Sequence, residues 1–105
     1  MARNAQTFLV DKIEHPGKAG AIVFVRSDKI GQQAGFSHAC PCGCGKWSFI
    51  RLDPEAWAPG TIPFWTRTGD DLHMTLLPSI GIKPQDAAGN YHWHGYLRNG
   101  VFEEC

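Results

Sequence analysis

The six residues Cys40-Pro41-Cys42-Gly43-Cys44-Gly45 constrain this 105-residue chain more than any other stretch. Three thiols fall within five positions, and in a straight strand alternate side chains share a face but stand about 6–7 Å apart. Three sulfurs can meet one ion only if the backbone bends, and the interleaved proline and glycines supply that bend. Zinc takes four ligands in a tetrahedron and favours thiolate in structural sites. The first residues, Met1-Ala2-Arg3-Asn4-Ala5-Gln6-Thr7, lack the apolar core of a secretion signal. A cytoplasmic location is therefore expected, where stable disulfides are disfavoured and clustered cysteines read as metal ligands. Cysteines are also common as small core residues or as redox centres, but this density and setting favour one bound Zn2+.

The C-terminal segment is expected to supply the remaining ligands. Asn99-Gly100 is a strong hairpin turn signal, because both turn positions need φ > 0. It predicts paired strands over 91–98 and 101–104, which carry His92, His94 and, just past the end, Cys105. His92 and His94 share a face in a strand. The expected metal set is Cys40, Cys42, Cys44, His94 and Cys105, any four of them sufficing, with His92 and His38 in reserve. His15 and His73 read as ordinary histidines.

The rest of the chain reads as short strands separated by its 12 glycines and 7 prolines. Strands are expected over 7–10, 21–26, 46–52, 62–66 and 72–77, with a loop over 28–35. One helical turn is expected over 53–57, where Asp53 caps and Pro54 takes the first helical position. No window carries a helical period long enough for a stable helix. The fold class expected over 1–105 is a mainly β single domain, antiparallel and stapled by zinc, with a C-terminal hairpin. No apolar run nears the ~20 residues of a membrane span. Ten basic residues balance ten acidic ones, which argues against a dedicated nucleic-acid binder and against docking on anionic lipid.

Three motifs together carry a resemblance: Cys40 to Gly45, then Thr75-Leu76-Leu77-Pro78-Ser79-Ile80, then the spacing of His94, Gly100 and Cys105. On these the chain resembles, over roughly residues 36–105, a family of small phage and bacterial proteins classed as a domain of unknown function. The resemblance implies a small zinc-binding β domain of phage type and supplies no activity. Many relatives carry a further Cys three residues before the hairpin His; Tyr91 stands there in this chain, beside His92, which leaves the fourth ligand open.

Three functions fit these features. The favoured one is a non-enzymatic protein-interaction module, its zinc site closed by protein ligands and its partner a host or phage protein in the host cytoplasm. Four tryptophans would fill the core or, like Trp57, anchor the partner. The second is a metal-dependent hydrolase-like enzyme using His92 and His94, though no His-Glu-x-x-His motif is present. The third is a zinc knuckle for single-stranded nucleic acid, with Lys46, Trp47 and Arg51 following the cysteines.

Overall fold

The apolar run Ala21-Ile22-Val23-Phe24-Val25 begins after Gly20, whose φ of +91° turns the chain sharply, and forms the first long strand. The structure, a computed structural model, describes residues 2–27, 32–85 and 91–105. Among the described residues ten strands run in order: β1 (Ala5–Gln6), β2 (Phe8–Leu9), β3 (Ala21–Ser27), β4 (Gln32–Ala39), β5 (Trp47–Arg51), β6 (Thr66–Thr68), β7 (Thr75–Leu77), β8 (Ile80–Gln85), β9 (Tyr91–Arg98) and β10 (Val101–Glu104). The expected helical turn is present as a 3-10 segment, Pro54–Ala56, capped by the Asp53 side chain on the Glu55 N–H.

Two four-stranded sheets, ordered β1-β10-β9-β8 and β2-β3-β4-β5, carry most of the fold, with β6-β7 as a two-stranded ribbon. All pairings are antiparallel except β2 with β3. Thr7 lies where the chain passes from one sheet to the other. It is buried, and its N–H and hydroxyl both donate to the Gly100 carbonyl, at 2.9 and 2.7 Å. The two sheets share one apolar core: Ile22, Phe36 and Ile50 on one side, Ile80, Ile82, Trp93, Leu97 and Phe102 on the other, with Met74 and Leu76 of the ribbon strand and its approach. His38 stacks on Phe102 at 4.9 Å across this core.

The mainly β fold class and the hairpin match expectation: Asn99 and Gly100 take φ of +47° and +79° between β9 and β10. Other boundaries differ. The loop expected over 28–35 is strand from residue 32 on, and 28–31 lie outside the described residues. Its polar Gln32-Gln33 and Gly35 look like a loop, yet β4 sits between β3 and β5, where ladder hydrogen bonds override propensity. The strand expected over 7–10 shrinks to β2, the one over 72–77 shrinks to β7, and the one over 62–66 is displaced to β6, sharing only Thr66 with it. Strand β8 was not expected; its glycine and proline mask it. No helix among the described residues is long and apolar enough to cross a membrane.

Candidate metal centre and serine–histidine pair

The cysteine turn closes the β4–β5 hairpin. The Cys40 N–H donates to the Lys46 carbonyl at 2.8 Å and the Gly43 N–H to the Cys40 carbonyl at 3.0 Å. Gly43 and Gly45 lie at φ of +87° and +88°, the left-handed conformations that bend the segment. A Cβ on Gly45 would strike Pro16 at 2.5 Å. The bend gathers three sulfurs and one imidazole. Cys40 Sγ lies 3.2 Å from Cys42 Sγ, and Cys42 Sγ lies 3.1 Å from His92 Nε2. With Cys44, the four ligand atoms all fall within 4.8 Å of one another.

Four atoms about 2.3 Å from a common centre would stand about 3.7 Å apart in a tetrahedron. The spacing therefore fits a Cys3His metal centre. Burial pushes the Cys40 thiol up to about 12. Burial opposes ionisation of Cys44 as well, but the Lys46 backbone and the contacts of Cys42, His92 and Cys40 bring it down to about 7. A coordinated cation takes the place of such thiol protons outright.

His94 and Cys105, expected among the ligands, are not in this group. Both histidines lie on β9, but His94 is two residues, about 6–7 Å, further along the strand. Cys105 continues the β9–β10 pairing beyond Gly95–Glu104; its N–H donates to the His94 carbonyl at 3.0 Å and the residue is exposed. His38 is fully buried on the core side of β4, and neither ring nitrogen has a hydrogen-bond partner. His92 thus joins the three cysteines, and His94 lies outside that group.

His94 instead meets a serine: its Nε2 lies 3.1 Å from Ser79 Oγ. Ser79 sits between Pro78 and the buried Ile80 that starts β8, and its carbonyl accepts the Trp65 indole N–H at 3.2 Å. Ile80 pairs with Gly95 and Gly81 with His94, so the ladder fixes serine and histidine across one edge of the sheet. The chain has four serines. Ser27 ends β3, and Ser37 and Ser48 lie in the β3–β4–β5 ladder. Among the described residues, Ser79 and His94 are the one serine–histidine hydrogen-bond contact. Sequence reading named Ser79 only as one residue of a motif and gave His94 to the metal.

The chain is a small β domain in which strand β9 carries His92, gathered with three cysteines, and His94, in contact with Ser79. The chain belongs to the family described as bacterial ubiquitination-like system serine protease (BubE), which it matches over residues 9–105. No curated protein and no solved structure matches it.

Membership in a serine-protease family overturns the expectation of a non-enzymatic interaction module and points to an enzyme. All four indole N–H groups donate to backbone carbonyls: Trp47 to Glu14, Trp57 to Ala34, Trp65 to Ser79 and Trp93 to Arg3. Trp57, the expected anchor for a partner, also packs edge-on against Phe49 at 5.4 Å.

Proposed function

We propose that the chain is a serine hydrolase of acyl bonds, with Ser79 as nucleophile and His94 as general base. The observation that carries this reading is the 3.1 Å contact between Ser79 Oγ and His94 Nε2, within hydrogen-bond reach for a nucleophile and its base. As Oγ attacks an acyl carbon, His94 takes its proton, and the Ser79 oxygen becomes acylated. His94 then returns the proton to the departing amine or alcohol. In the second half the same imidazole takes a proton from water as it attacks the acyl-serine, then gives that proton to Ser79 Oγ as the acyl–oxygen bond breaks and the acid leaves. Trp65 holds the Ser79 carbonyl, and so fixes the backbone from which the hydroxyl projects. The family's place in a ubiquitination-like system supports a ubiquitin-like modifier as substrate, cut at the acyl group of its C-terminal residue.

The Cys40, Cys42, Cys44 and His92 set would hold zinc. A Cys3His shell leaves no position for water, so the ion would brace the fold and take no part in the acyl chemistry.

Labelling with a fluorophosphonate, followed by intact mass and peptide mapping, tests the reading without a known substrate. The wild-type chain should gain one adduct at Ser79. Ser79→Ala should gain none, and His94→Ala should label at least ~100-fold more slowly, with metal content and melting temperature preserved in both. An adduct elsewhere, or undiminished labelling of His94→Ala, would overturn the assignment.

A further inference from the structure

His94 is held on two sides. One edge of its ring meets Ser79, and its face is covered by Tyr91, with ring centroids 5.6 Å apart and planes 26° from parallel. This contact is not what strand geometry predicts. Residues 91 and 94 are three apart, so regular alternation would send their side chains to opposite faces of β9. Trp93 obeys that alternation and is fully buried in the core, while His94 is exposed on the outer face. Tyr91 should follow Trp93 inward, yet it is 40% exposed. The register of β8 on β9 shifts between Ile82 and Gln85, beside Tyr91, and at this irregularity the ring turns outward.

The place where the ring lies is prepared by a glycine. Gly81 is the cross-strand neighbour of His94. A Cβ on Gly81 would lie 2.7–2.9 Å from three atoms of the Tyr91 ring, closer than real carbon contacts. The ring rests on bare backbone, beside the histidine, on the same face as the dyad. Any larger residue at position 81 would lift it away.

Resting on the dyad reading above, we propose that Tyr91 is the positioning residue of His94, seated by Gly81. The aromatic face restricts rotation of the imidazole and keeps Nε2 directed at the Ser79 hydroxyl. When His94 takes the serine proton it becomes a cation, and the electron-rich face of Tyr91 attracts that cation more than the neutral ring. The contact therefore strengthens as the reaction proceeds, which is the condition for accelerating it. A buried carboxylate does both jobs in many serine hydrolases; here a stacked ring can do them. The phenol hydroxyl is not needed for either.

The test is a substitution cycle read by the rate of fluorophosphonate labelling at Ser79, with melting temperature and metal content as controls. Tyr91→Ala should label about tenfold more slowly, and Tyr91→Phe should match wild type, since it keeps the ring face. Gly81→Ala should fall as far as Tyr91→Ala, by displacing the ring. The double variant should be no slower than Tyr91→Ala alone, because the added methyl then has nothing to displace. Should Tyr91→Ala fold poorly, Tyr91→Leu serves in its place, keeping bulk without the aromatic face. In the NMR spectrum, the His94 ring protons should show an upfield ring-current shift that disappears in Tyr91→Ala and survives in Tyr91→Phe. Wild-type rates in Tyr91→Ala, equal losses in Tyr91→Phe and Tyr91→Ala, or multiplied losses in the double variant would each overturn the inference while leaving the dyad intact. A wild-type chain with no adduct at Ser79 would overturn both.

Discussion

The cysteine knuckle and Ser79 meet β9 at neighbouring positions, through His92 and His94, and the two groups are built in opposite ways. Three of the four knuckle groups come from one hexapeptide whose glycines fix its bend. The dyad joins residues fifteen apart, Ser79 just before β8 and His94 within β9, and each is in contact with a different neighbour: Trp65 for Ser79, Tyr91 for His94. The first is a covalently local assembly whose shape an ion can complete. The second exists only when β8 and β9 are in register. A strand that is pinned at position 92 has little freedom at position 94, so the brace and the chemistry are linked in one direction.

That direction can be broken by removing the ligands. Cys42 touches both Cys40 and His92, so Cys42→Ser should remove the contact that ties the knuckle to β9. A structural zinc centre contributes on the order of 10 kcal/mol apparent, comparable to the whole stability of a domain this size. Cys42→Ser, or chelation of the wild-type protein, should therefore unfold the chain or lower its melting temperature by tens of degrees, and Ser79 labelling should vanish with it. Ser79→Ala should do nothing to metal content. A chelated chain that keeps its melting temperature and its labelling would show that the knuckle braces nothing.

A smaller effect separates the core from both sites. His38 is fully buried beside Phe36 and Phe102, and burial lowers its pKa from 6.5 to about 4. Between those values the unfolded chain binds a proton at this imidazole that the folded chain does not. Stability contributed by the neutral ring is thus complete above about pH 6.5 and falls as the pH drops towards 4, by about 3 kcal/mol at most. Acid also protonates the thiols and releases metal, so the comparison needs His38→Phe, which lacks the titration and keeps the ring stack. Urea midpoints at pH 7 and pH 5 should fall further for the wild type than for His38→Phe. Equal falls would mean that acid acts only through the metal ligands.

The same contrast explains what could be read in the chain beforehand. The knuckle was legible because Cys40, Cys42 and Cys44 are neighbours in sequence and their chemistry follows from residue type and spacing. The hairpin was legible because Asn99-Gly100 encodes its turn locally. His92 against His94 was not: residues two apart share a face, and only the distance along β9 to the knuckle decides between them. Ser79 was invisible as a nucleophile because its partner comes from another strand, and β8, the strand that follows it, is disguised by Gly81 and Pro84. Strand β4 was hidden for a related reason, since its place between two neighbours, and not its polar first residues, makes it a strand.

Cys105 gives the finest discrimination between the two regions. Its position across the hairpin, with its N–H on the His94 carbonyl at 3.0 Å, puts it beside the dyad's strand segment and outside the group of four ligand atoms. The backbone N–H makes that contact, and serine keeps it. The side chain is exposed, where substitutions away from special features change stability by less than about 0.5 kcal/mol. Cys105→Ser should retain one metal ion per chain, melt within a degree or two of wild type and label at Ser79 at the wild-type rate. Were the sulfur a ligand, the variant would lose metal and stability together, as Cys42→Ser does, and His92 would become the dispensable member of the set. Measuring metal content in Cys105→Ser and His92→Ala side by side therefore assigns the fourth ligand, and with it which residue of β9 belongs to the brace and which to the chemistry.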